Sequence, residues 1–166
     1  MNFSLPRRPS VAGPPAALAL LLLATACTSG DGGTEAEVPA PRAEAARLCR
    51  DLGGRLPREV AGDGRNDPKP RSELTAGWGD PAIILRCGVE RPAKMDDPKA
   101  DGVEVDGVGW LLEKRPDGSF RFTTARRKAY VEVTLPEGRT GEGLGPLTDF
   151  AGPISRTVPK GIASTL

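Results

Sequence analysis

The 166-residue chain contains no histidine, and that removes much of the usual active-site repertoire. Ser-His-Asp and Cys-His relays cannot be assembled, nor can a His-ligated zinc site. No remaining side chain has an unperturbed proton affinity near neutrality. Acid–base catalysis would fall to shifted carboxylates, lysines or the single tyrosine, Tyr130. Two strings still carry residue types that bind or react. Trp78-Gly79-Asp80-Pro81 sets a tryptophan between glycines, and with Trp110 it offers an aromatic platform for a sugar or peptide. The alternative is that Trp78 fills the core while Gly79-Asp80-Pro81 turns the chain. Arg126-Arg127-Lys128, followed by Tyr130, offers planar cationic forks for a wall phosphate or a peptide carboxylate, or else a solvated turn between strands. Asp96, Asp97, Asp101 and Asp106 supply the oxygen ligands calcium wants. Their spacing matches no calcium loop, however, and Lys94 and Lys99 interrupt the charge. No metal and no cofactor are expected. No pair of acids is marked out as facing across a cleft, as glycoside hydrolysis would require. The candidate ligand-binding residues are therefore Trp78, Asp80, Trp110, Arg126, Arg127 and Tyr130, with no catalytic residue assigned.

The three cysteines are read through the N-terminus. Arg7 and Arg8 precede an apolar run from Ala16 to Ala26, the order of a secretory signal. That run is far shorter than the roughly 20 residues a helix needs to cross a bilayer. Cys27 directly follows Leu23-Ala24-Thr25-Ala26 and resembles the cysteine of a bacterial lipobox, which is acylated and becomes the mature N-terminus. Export by the general route and a lipid on Cys27 are expected; plain secretion, with Cys27 a spare thiol, is the alternative. Cys49 and Cys87 then remain as an even pair in an oxidising compartment, so a disulfide between them is the default. Closing the loop of about 38 residues between them restricts the unfolded chain by about 4 kcal/mol.

Composition sets the rest of the layout. Residues 27–42 are Gly, Ser, Thr, Pro and acidic with little apolar content, which reads as a flexible tether. Residues 43–160 are sized for one domain. Removing residues 1–26 takes away Arg7 and Arg8 and no acid, so 23 basic and 22 acidic side chains become 21 and 22, a net charge of −1. That balance lacks the basic footprint of a nucleic-acid partner.

The elements that must position the candidates follow from periodicity. Ala45, Leu48, Cys49 and Leu52 share one face of a helix over residues 42–54, stopped by Gly53-Gly54. Residues 61–73 read as loop. Ala82–Cys87 reads as a buried strand, and residues 92–102 as an exposed loop. Strands are expected over 103–105, 108–115, 119–124 and 129–135, punctuated by Asp106-Gly107 and Pro116-Asp117-Gly118. Leu144, Leu147, Phe150, Ile154 and Val158 suggest a C-terminal helix that Gly145-Pro146 and Gly152-Pro153 interrupt. The expected fold is α+β: a small antiparallel sheet of four to five strands, a helix from each end of the domain, and one disulfide.

The layout from Cys49 onward resembles a family of small actinobacterial envelope proteins, mostly lipoproteins, built on a domain of unknown function. The residues that carry the resemblance are Leu48-Cys49, Leu56-Pro57, the run from Trp78-Gly-Asp-Pro to Cys87-Gly-Val89, Gly107-Val-Gly-Trp110 and Tyr130-Val-Glu-Val133. The arginine, alanine, glycine and proline content suits a high-GC actinobacterium. The resemblance implies an extracytoplasmic protein attached to the membrane, and no activity. Together these readings point to a non-catalytic binding or accessory domain, lipid-anchored at the extracytoplasmic face, with an envelope protein or wall component as partner. One alternative is a small envelope hydrolase using Asp80 with Tyr130 or Arg126. Another is a structural subunit of a membrane complex, which would leave an apolar patch exposed on the domain.

Overall fold

In the computed structural model, which describes Met1 and residues 34–161, alternation and glycine turns lay the chain out as antiparallel strands. The chain divides after Gly30, and every element belongs to the unit from Asp31 onward. Met1 apart, the expected signal segment and Cys27 lie outside the described residues. Helix α1 (Ala43–Gly53) leads to a hairpin, β1 (Glu59–Val60) and β2 (Asp63–Gly64), then to β3 (Thr75–Trp78) and β4 (Ile83–Val89). After a 3₁₀ turn (Ala93–Asp96) come β5 (Gly102–Val105), β6 (Val108–Lys114), β7 (Phe120–Thr124) and β8 (Tyr130–Leu135). A second 3₁₀ turn (Glu137–Glu142) precedes helix α2 (Gly145–Thr157). The main sheet runs β3-β4-β8-β7-β6-β5, every neighbour antiparallel.

Six strands in one sheet, plus a separate two-stranded hairpin, exceed the four to five expected. The strands that escaped are the ones without alternation. Thr75-Ala-Gly-Trp78 is buried throughout, and an ideal Cβ on Gly77 would fall 2.3 Å from the Asn66 carbonyl oxygen. Only glycine lets the Asn66 loop lie that close. Asp63-Gly64, inside the stretch read as loop, pairs with β1 through a turn at Ala61 and Gly62, both at positive φ. At Asp106-Gly107 the expected hairpin forms with φ of 47° and 77°, the double left-handed turn that glycine and aspartate tolerate.

One face of the sheet carries the core. Ile83, Leu85 and Cys87 of β4, Val131, Val133 and Leu135 of β8, and Phe122 of β7 belong to one buried cluster with Leu48 and Leu52 of α1 and Leu147, Phe150 and Ile154 of α2. The helical spacing of α1 thus buries the side it should, and Cys49 bonds to Cys87. Pro146 sits in the first turn of α2, where its missing N–H costs nothing. Pro153 lies inside the helix without ending it, and its carbonyl accepts the Thr157 hydroxyl at 2.9 Å. Leu144, expected on the apolar stripe, instead caps α2 and is 39% exposed; with Met1 it makes up the exposed large apolar side chains among the described residues.

The other face is polar and internally neutralised. Glu113, Arg121, Glu132 and Arg86 stand on β6, β7, β8 and β4, joined by ion pairs of 2.9, 3.8 and 3.2 Å in that order. Glu37 extends the row through Arg86 at 3.1 Å. Residues 34–42, placed by composition in the tether, are therefore part of the body rather than a free linker. Glu35 bridges to Lys69, the Glu37 carbonyl accepts from Arg86, and Pro39 is buried.

Candidate functional site

The turn from β7 to β8 is pinned from both sides. The Lys128 N–H donates to the Pro159 carbonyl at 3.1 Å, and the Gly161 N–H to the Arg126 carbonyl at 3.0 Å. Between these bonds Arg126 is held at φ 53°, in the left-handed region that costs a non-glycine residue about 1 kcal/mol or more. Its guanidinium is exposed and makes no ion pair or side-chain hydrogen bond among the described residues. Arg127, its neighbour, does the opposite. It is 4% exposed and donates to the Val158 carbonyl at 2.9 Å and the Gly107 carbonyl at 3.3 Å. Burial holds its proton affinity below the usual guanidinium range. Its donors are spent tying the end of α2 to the β5–β6 hairpin, which corrects the expectation that it binds a ligand beside Arg126.

Two adjoining depressions of about 400 and 490 Å³ share Gly102, Trp110, Ala125 and Arg126. They form a groove across β5 and β6 on the polar side of the sheet. Gly109 leaves part of its floor bare, since a Cβ there would meet only Ala125 Cβ, at 3.9 Å. The smaller depression is walled by Arg91, Met95, Leu111 and Tyr130, with Asp97 and Asp101 at its rim. Asp96 bonds Arg91 at 2.8 Å, which raises the guanidinium's hold on its proton, with Tyr130 a lesser contributor, and lowers Asp96 below the usual carboxylate range. A hydrogen bond from Lys94, then one from the Lys99 N–H, lowers Asp97 likewise. Trp110 is 1% exposed, and its indole N–H finds no hydrogen-bond partner among the described residues.

Of the predicted binding residues, Arg126 and Tyr130 come together here; Trp110 lies beneath the groove with its ring in the buried core cluster, and Trp78 and Asp80 lie elsewhere. Trp78 is fully buried on the core face, its ring 5.1 Å from Phe150, its Nε1 donating to the Pro57 carbonyl, and the Arg65 guanidinium 4.9 Å from its centre. Trp78 therefore fills the core. Asp80 is exposed in the turn from β3 to β4. That turn lies at the end of β4 where Ile84 pairs with Thr134, whereas Tyr130 pairs with Val89 at the other end. Asp80, Tyr130 and Arg126 thus share no cleft, and the alternative hydrolase arrangement that needs them together is not assembled. Arg91, Met95 and Gly109 were absent from the sequence candidates, because nothing local distinguishes them from loop and strand filler. Among the described residues no three His, Cys, Asp or Glu gather as a metal site would need, and no helix is long and apolar enough to cross a membrane.

No curated protein and no solved structure matches this chain. A family pattern does, over residues 12–163, a span that takes in the apolar N-terminal segment, the disulfide and every wall of the groove. The chain accordingly belongs to the DUF3515 family, proteins of unknown function.

Proposed function

We propose that this protein is an exported lipoprotein, held by acyl chains on Cys27 at the outer face of the cytoplasmic membrane of an actinobacterium. Its body binds an anionic envelope component in the groove between β5–β6 and the β7–β8 turn, without catalysis of its own. Arg126 carries this reading. A guanidinium fixed on a strained, doubly pinned backbone, without a carboxylate partner among the described residues, above a bare glycine floor, is arranged to receive a carboxylate or phosphate. Arg91 and Tyr130 stand on the same wall and would add a second cation and a hydroxyl. The Cys49–Cys87 bond is in keeping with an oxidising compartment.

Binding of wall fragments to the full mature chain tests the groove. Arg126→Ala is expected to weaken it about tenfold or more, the loss of one charge-assisted hydrogen-bonded contact. Gly109→Val fills the floor with a residue that strands favour. It should abolish binding while leaving thermal stability equal or slightly raised. Equal binding by all three proteins would remove the groove from consideration. Intact mass of the native membrane form under non-reducing conditions tests the anchor: acyl mass on a chain beginning at Cys27 is expected, and an unmodified Cys27 overturns it.

A further inference from the structure

The two edges of the main sheet are treated differently. The β3 edge is sealed by the chain itself: Asn66 N–H donates to the Gly77 carbonyl at 2.7 Å, Gly79 N–H to the Gly64 carbonyl at 3.1 Å, and Arg65 bridges to Trp78. Nothing comparable among the described residues lies along β5, the last strand at the other edge. Its register says which groups are left over. Val105 pairs with Val108 across the two-residue turn, and the Leu112 N–H donates to the Asp101 carbonyl at 2.8 Å. Residues 101, 103 and 105 therefore spend their backbone groups on β6. Gly102 and Glu104, at the alternate positions, turn theirs outward. Among the described residues no backbone hydrogen bond outside the strand ladder reaches either of them.

We propose that β5 is a docking edge for an extended, basic peptide segment of a partner protein, which adds to the sheet as a seventh strand. The backbone of Gly102 and Glu104 supplies the pairing, as in other strand additions. Charge supplies the selection. Asp101, Glu104 and Asp106 are all exposed along this edge, and neither Glu104 nor Asp106 has an ion-pair partner among the described residues. Lys94 lies near Asp101. Arg126 and Lys160 share a depression with Glu104 on the β6 side, without a salt bridge to it. A second copy of β5 would bring Glu104 toward its own kind, which cross-strand pairing disfavours. The acidic edge thus repels self-association, a common protection of open edges, while admitting a strand with lysine or arginine at alternate positions. The edge borders the anion-binding groove at Gly102 and Glu104, and strand pairing is told apart from groove binding by protection of these two backbone amides.

The test is amide hydrogen exchange on the full mature chain with acetyl-Lys-Val-Lys-Val-Lys-Val-amide as probe. Exchange at Gly102 and Glu104 is expected to slow about tenfold, and the slowing should shrink as salt rises. The Glu-Val counterpart of the peptide should give none, nor should a lysine peptide N-methylated at alternate residues on each edge. Glu104→Pro, tolerated where an edge N–H faces solvent, should abolish the effect at Gly102. Glu104→Lys, a surface change that leaves the core untouched, should transfer the preference to the Glu-Val peptide. Unchanged exchange at both amides would overturn the proposal, as would equal protection by the two peptides. So would protection without peptide in a protein of doubled mass, since the occupant would then be a second copy.

Discussion

Replacing Cys49 and Cys87 together by alanine is expected to cost about 4 kcal/mol of stability, a large share of what a domain of this size possesses. The two residues are 38 apart in sequence, so the bond removes a long loop's freedom from the unfolded chain. Both are essentially fully buried, at 0% and 1% exposure. Cys49 lies between Leu48 and Leu52 on the inner side of α1, and Cys87 on β4 beside its partner strand β8. Without the bond, α1 keeps its packing on the sheet and loses its tie to it. At about 4 °C per kcal/mol, the midpoint of thermal unfolding should fall by about 15 °C. Urea unfolding of the oxidised and double-alanine proteins measures the difference directly. A loss below about 1 kcal/mol would mean that packing of α1 and α2 alone carries the fold, against the loop-closure argument. A single Cys87→Ser variant should be worse than the double one, because it also buries a hydroxyl on the core side of β4.

What the sequence makes legible, and what it hides, depends on where the information sits. Helix α1 and strands β4 to β8 announce themselves through local pattern: spacing of three and four, alternation of two, and a turn pair between them. The Cys49–Cys87 pairing needs only an even count and a compartment. Strand β3 cannot be read this way. Its four residues are all buried, one is glycine, and it is held by β4 on one side and by Arg65 and Asn66 of a distant loop on the other. Residues 34–42 mislead for a related reason. Their composition cannot fold alone, yet Arg86 of β4 supplies an external partner for Glu37. The site divides similarly. Arg126 and Tyr130 stand out as a cation beside the single tyrosine. Arg91 and Gly109 become part of the groove only when the sheet brings β6 under the loop after β4. Arg127 shows the converse: adjacent to Arg126 in sequence, it is spent on carbonyls of α2's end and the β5–β6 turn.

Trp78→Ala should be the most damaging single substitution, at about 4 kcal/mol. The indole is wholly buried, packs obliquely on Phe150 of α2, and lies under the Arg65 guanidinium. Its N–H also holds the Pro57 carbonyl at 3.1 Å, just before the β1–β2 hairpin. Removing it opens a cavity and releases three segments at once: α2, the hairpin and the Arg65–Asn66 loop. Trp78→Phe separates the parts. It retains an aromatic partner for Phe150 and loses the N–H bond, so about 1 kcal/mol is expected. Thermal unfolding of the two variants gives the totals, and hydrogen exchange locates the damage. In Trp78→Ala the amides of Asn66 and Gly79, which seal β3, should exchange faster than those of β7 and β8. A second open edge would then appear at β3, and the variant should aggregate more readily than its stability loss alone accounts for. A platform role for Trp78 makes the contrary prediction, with ligand affinity lost and stability kept. An alanine variant that melts within about 3 °C of the parent would therefore move Trp78 from the core to the surface account.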